Sequence, residues 1–260
     1  MPGGISRNLI ERIVSAVLLL PPVLGAVYMG GWWFAALLML GGILMATEWV
    51  KLTSAGGDFW GWLLALVMVA LVSAVEVLVP NALDLLLLLF GLAALGSFFA
   101  KYTAFKPQAW WIIGLGYVAL PLVALWWLRG VDGMLVLWVL LIVWATDIGG
   151  YFAGKGIGGP KLAPQVSPKK TWAGLLGGMA LSVGVSVAVN AIEPLGLSLG
   201  LLALLSAGFA VWSQVGDLAE SGVKRSFGVK DSGGLIPGHG GLLDRVDGLV
   251  FVAPAVALVV

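Results

Sequence analysis

Apolar runs of about twenty residues recur along almost the whole of this chain, and nothing else restricts its fold so severely. A run of that length matches the roughly 30 Å of hydrocarbon that a helix has to cross. Nine can be read: Ile13 to Tyr28, Trp32 to Val50, Trp60 to Val79, Ala82 to Ala100, Trp110 to Leu128, Gly133 to Phe152, Trp172 to Ile192, Leu197 to Trp212, and Leu242 to the C-terminus. They are apolar all round rather than alternating, which predicts helices and not the strands of a transmembrane barrel. Trp32, Trp33, Trp60, Trp110, Trp111, Trp126, Trp127 and Trp172 stand at run ends, where an indole keeps its N–H among headgroups. The expected fold class is all-α, a polytopic integral membrane protein of about nine transmembrane helices.

Composition excludes the soluble alternative. The 260 residues are 60% hydrophobic and only 10% charged, whereas a soluble domain is nearer half apolar and about a quarter charged. Cysteine is absent, which removes disulfides, thiolate metal sites and thiol nucleophiles.

The basic residues orient the spans. With the N-terminus in the cytoplasm, Arg7, Arg12, Lys51, Lys101, Lys106, Lys155, Lys161, Lys169, Lys170, Lys224, Arg225, Lys230 and Arg245 fall inside and only Arg129 outside, a strong positive-inside bias. Both long polar loops, Gly154 to Thr171 and Ser213 to Gly241, then face the cytoplasm. The first run has the basic flank of a signal peptide but no small-residue cleavage site, and it is expected to be a retained helix.

Against this hydrocarbon, Ser213 to Asp247 is a polar island holding nine of the chain's 27 charged side chains (14 basic plus 13 acidic) and its only histidine. A plain connector would be shorter and blander. Asp217, Glu220, Ser221 and Lys224 fall at i, i+3, i+4 and i+7, one face of a helix if the preceding span continues past the bilayer. Such a face is either a divalent-cation handle with a phosphate-reaching lysine, or a solvated surface with a Glu220–Lys224 ion pair. Lys224-Arg225, Lys230-Asp231 and Pro237-Gly238-His239-Gly240-Gly241 add countercharge and a backbone that phosphate can approach closely, without the Walker or dinucleotide patterns. Asp244 and Asp247, at i and i+3 in the first turn of the last run, suit Mg²⁺ or simply the helix dipole. Asp147 lies deep enough in its run to need a metal, a basic group or a hydrogen-bonding helix beside it. Lys169-Lys170 serve either phosphate or as a membrane anchor. Glu48 and Glu76 stand in or near apolar runs with no constellation around them, and no role is expected of either.

Taken together, Ser221-Gly-Val-Lys224-Arg225, Lys230-Asp231 and Pro237-Gly-His239-Gly240-Gly241-Leu-Leu-Asp244-Arg245-Val-Asp247 resemble, residue for residue, the pattern of the phosphatidate cytidylyltransferases (CDP-diacylglycerol synthases). Asp147 with Tyr151-Phe-Ala-Gly154, Lys161-Leu-Ala-Pro164, Ser167-Pro-Lys-Lys-Thr171 and Gly216-Asp217-Leu-Ala-Glu220 extend the likeness. Arg12-Ile-Val-Ser15-Ala and Glu48-Trp49 add weaker matches, and Ala173 departs where relatives carry an acid or amide. The resemblance implies transfer of CMP from CTP to phosphatidate with release of pyrophosphate, Mg²⁺ as cofactor with room for a second cation, and no nucleic-acid partner. It implies one catalytic domain over residues 1–260, with an N-terminal helical part to about 130 and a catalytic part from about 133. It places Asp217, Asp244, Asp247, Asp147 and Glu220 at metal, and Lys224, Arg225, Lys230, Arg245 and Lys170 at phosphates. Ser221, Asp231 and His239 shape the site or touch nucleotide, with Ser167, Lys169, Thr171, Gly240 and Gly241 also at substrate. A bacterial inner membrane is the expected location, and a homodimer is an open option for assembly. A CTP-dependent lipid-alcohol kinase and a secondary transporter are the competing readings.

Overall fold

The computed structural model describes residues 7–53, 109–235 and 240–260. The expected spans Trp60 to Val79 and Ala82 to Ala100, with Glu76 and His239, lie outside them. The described elements run α1 (Arg7–Met29), α2 (Gly31–Thr53), α3 (Ala109–Val131), α4 (Gly133–Gly156), β1 (Lys161–Ala163), β2 (Ser167–Thr171), α5 (Trp172–Ile192), α6 (Leu199–Ser226) and α7 (Leu243–Ala257). Five of these helices are long and apolar enough to cross a membrane: α2, α3 from Ile113, α4, α5 and α6. The chain is thus a mostly helical protein with membrane-spanning segments.

Local chemistry sets the helix ends. Asp132 accepts the Met134 N–H at 2.9 Å and caps α4, and Thr171 accepts the Gly174 N–H at 3.1 Å and caps α5. Helix α6 runs well beyond the expected Trp212, through the charged stripe to Ser226. Gly228, at φ 71°, then supplies the left-handed residue that closes it. One departure from an all-helical fold is the polar loop before α5, which forms a two-stranded antiparallel hairpin pairing Lys161 with Thr171 and Ala163 with Ser167. Pro164 and Gln165 form its turn, and the backbone groups of a loop this long are satisfied by pairing across it.

The fold comprises two compact units, residues 1–126 with 229–246, and residues 127–228 with 247–260. In the first, the Trp49 indole stacks on Tyr117 with centroids 5.0 Å apart and donates Nε1–H to the Trp110 carbonyl at 3.0 Å. Gly114 makes the room, because a Cβ there would lie 2.1 Å from Trp49 Nε1.

In the second unit, α4 and α5 meet backbone to backbone. A Cβ at Gly149 would lie 2.5 Å from the Gly177 carbonyl oxygen, and one at Gly178 2.8 Å from that of Thr146. Small residues allow this approach, which is how apolar helices associate where lipid removes the hydrophobic drive between them. Polar atoms along the seam pair across it: Trp138 Nε1 donates to Ser186 Oγ at 2.8 Å, and Thr146 and Ser182 hydroxyls lie 2.9 Å apart. Gly149→Leu should therefore force the helices apart and cost about 1–3 kcal/mol or more. Thermal unfolding in detergent reads this as a lowered midpoint, and an unchanged midpoint would show the close contact to be dispensable.

Candidate functional site

The polar residues gather in two groups, one in each unit. In the second unit, α6 and α7 touch at Gly216, where a Cβ would lie 2.4 Å from the Asp247 carbonyl oxygen and 3.0 Å from the Phe251 ring. Gly248 repeats the device against Ser213, at 2.3 Å from its Oγ. This crossing sets the first turn of the α6 stripe beside half-buried Asp247, whose Oδ1 accepts the Gly248 N–H at 2.8 Å. Asp217, Glu220 and, from α4, Asp147 are the carboxylates that act on Asp247.

Two lysines face these acids. Lys170, from β2, pairs with Asp217 Oδ2, and the Ser221 hydroxyl donates to Asp217 Oδ1 at 3.3 Å. Lys224 Nζ lies 3.2 Å from Glu220 Oε2. The i,i+4 pair exists, but it is no solvated surface: Glu220 is 1% exposed and Lys224 8%. All the acid donors are hard oxygens of the kind Mg²⁺ takes. Among the described residues no three acid or histidine side chains converge closely enough to enclose an ion.

The first unit holds a different construction. Asp244 Oδ2 accepts the Ser232 N–H at 2.9 Å, the Ser232 hydroxyl at 3.0 Å and the Gly241 N–H at 2.8 Å, so this oxygen closes the loop that precedes α7. Glu48, reaching from α2, accepts the N–H groups of Leu242 and Leu243, each at 2.9 Å, and the Ser232 hydroxyl at 3.2 Å. Glu48, expected to be idle, is therefore tied into the island. The signal was available: a carboxylate inside an apolar run requires partners, and Gly240-Gly241-Leu242 offers α7 no capping side chain of its own. The glycines also acquire a second explanation. A Cβ at Gly241 would lie 2.1 Å from Ser232 Oγ and 2.5 Å from Glu48 Oε2, and one at Gly240, at φ 85°, would lie 2.7 Å from Asp244 Oδ2. They clear space for protein carboxylates, and the Gly241 N–H expected to face phosphate is engaged by one.

The remaining candidates divide by exposure. Thr171 is buried as a helix cap, Ser167 is half-buried, and Lys169, Arg225, Lys230, Asp231 and Arg245 are exposed. His239 lies outside the described residues.

Residues 10–260 match the model of the cytidylyltransferase family. The chain belongs to this family. Its cytidylyltransferase relatives include proteins from Brucella suis biovar 1 (strain 1330), 38% identical over 95% of this chain and 91% of theirs, and from Staphylococcus haemolyticus (strain JCSC1435), 35% identical over 94% and 95%. A third, from Pseudomonas aeruginosa, is 38% identical over 95% of both chains. All three carry the name phosphatidate cytidylyltransferase. The cytidylyltransferase match takes in both polar groups and Glu48, and it identifies the chain as a nucleotidyltransferase.

Proposed function

We infer that this protein transfers CMP from CTP to phosphatidate, forming CDP-diacylglycerol and pyrophosphate for phospholipid synthesis. The observation that carries the reading is 35–38% identity, over 94–95% of the chain, to enzymes that bear that name. The arrangement of charges suits the chemistry. A phosphatidate oxygen attacking the α-phosphorus of CTP is already anionic near neutral pH, so proton removal is a minor demand. Repulsion between the two anionic substrates is the major one, and catalysis consists of positioning them and neutralising charge.

Half-buried Lys170 and buried Lys224 are the cations proposed for this task, with exposed Arg225, Lys230 and Arg245 assigned to phosphates as well. Asp217 and Asp247, with Asp147 and Glu220, would hold Mg²⁺. When bound, the ion supplies charge neutralisation on nucleotide phosphate oxygens. Lys170 and Lys224, which pair with Asp217 and Glu220, would be the cations nearest the substrate phosphates. Asp244, expected at the metal, has its Oδ2 engaged by the Ser232 and Gly241 donors, and we assign it instead to holding those two residues in place. The basic-residue asymmetry supports nine spans with this apparatus on the cytoplasmic side of a bacterial inner membrane. CTP then arrives from water and phosphatidate from the bilayer.

Purified protein in detergent, given phosphatidate, Mg²⁺ and CTP labelled at the α-phosphate, should place the label in lipid and release pyrophosphate. Release of CDP instead would identify a lipid-alcohol kinase. No lipid-linked label from folded protein would sink the cytidylyltransfer reading, and the absence of both labelled lipid and CDP would sink the kinase reading with it.

A further inference from the structure

We propose that Glu48 is a positioning residue for the transfer reaction, holding Ser232 and the Leu242–Leu243 start of α7 in their working geometry. Helix α7 begins at Leu243 after Gly240-Gly241-Leu242; the Arg245 and Val246 N–H groups go to the Leu242 carbonyl, while those of Leu242 and Leu243 precede any intrahelical acceptor. Glu48 accepts both from 194 and 195 residues away, one carboxylate oxygen on Leu242 and the other on Leu243. A carboxylate at a helix N-terminus also meets the positive end of the dipole. At 7% exposure Glu48 is shielded from water, which strengthens these charge-assisted bonds and raises the cost of losing them.

The same carboxylate reaches the loop through a shared hydroxyl. Ser232 Oγ stands 3.2 Å from Glu48 Oε2 and 3.0 Å from Asp244 Oδ2. One hydroxyl has one proton and serves these two acceptors by turns. Asp244 adds the Ser232 and Gly241 N–H groups. Two carboxylates on two helices thus gather four backbone N–H groups, those of Ser232, Gly241, Leu242 and Leu243. Gly233 and Gly241 admit Glu48, since a Cβ at either would come within 3.1 Å and 2.5 Å of its oxygens. Ser232 follows Lys230 and Asp231 in the chain, and Leu243 stands two residues before Arg245. Fixing the backbone at these two places fixes where those side chains start from.

The experiment compares Glu48→Gln and Glu48→Ala with Trp49→Phe, which removes the neighbouring indole bond of α2 without touching the loop. Two quantities are read on the full chain in detergent: kcat and KM for CTP, and amide hydrogen exchange by peptide. Both Glu48 variants should lose about 10- to 100-fold in kcat/KM, the scale of a modest misplacement of reacting groups. Exchange should rise within 231–243 while α4 and α5 keep wild-type protection, and Trp49→Phe should not reproduce that local pattern. Turnover within about twofold of wild type overturns the proposal, as does lost turnover with unchanged exchange in the loop. Deprotection spread equally through α4 and α5 also overturns it, by making Glu48 a folding residue alone. The kinetic arm rests on the cytidylyltransfer reading; the exchange arm reports the loop independently of it, so failure of one is distinguishable from failure of the other.

Discussion

Asp247→Asn should cut turnover by about 100-fold or more, equivalent to at least ~2.7 kcal/mol of transition-state stabilisation, and should raise the Mg²⁺ concentration needed for half-maximal rate. Asp247 is where α7 meets α6, and Asp217, Glu220 and Asp147 all act on it. Amide for carboxylate keeps the shape and the bond from Gly248, but it replaces an anionic oxygen donor of the kind a divalent ion takes with a neutral one. Asp244→Asn provides the contrast. It too should slow turnover, because Asp244 Oδ2 gathers Ser232 and Gly241, yet its Mg²⁺ requirement should stay close to wild type. Titrating Mg²⁺ against initial rate separates the two. An Asp247→Asn enzyme of near-normal turnover, with intact folding, would remove that residue from the metal.

How much of this was legible beforehand differs by element. Helices α2, α4 and α5 follow their apolar runs closely, since twenty apolar residues beside a membrane leave the backbone one way to satisfy itself. The continuation of α6 to Ser226 was legible only conditionally, through the spacing of Asp217, Glu220, Ser221 and Lys224. Whether polar residues stay helical past the bilayer depends on what packs on them, here α7 at Gly216. The hairpin at 161–171 was not legible, because Lys161-Leu-Ala and Ser-Pro-Lys-Lys are too short and mixed to show a period of two. Glu48 was missed because its partners are backbone N–H groups nearly two hundred residues away, and a donor of that kind has no letter in a sequence. Lys170 and Asp217 were each nominated, but as phosphate and metal ligands. Their pairing with each other depends on β2 lying beside α6.

Lys224→Met should destabilise the protein by about 3–5 kcal/mol, because it strips the ammonium from a carboxylate that is 1% exposed. Adding Glu220→Gln should restore most of that stability, as removing both charges of a buried pair is often neutral where removing one is not. Turnover should not follow. Lys224 on the reading above also neutralises phosphate, so the double variant should fold well and still turn over at least about 100-fold slower than wild type. Thermal midpoints and initial rates measured on the same detergent preparations give both answers. If Lys224→Met melts with wild type, the pair contributes nothing to the fold. If the stable double variant regains turnover, Lys224 serves the fold alone, and phosphate charge must be met by Lys170 and the exposed Arg225, Lys230 and Arg245. The burial of the pair makes the first outcome unexpected, since a carboxylate inside a protein is tolerated only while a countercharge or a proton stays with it.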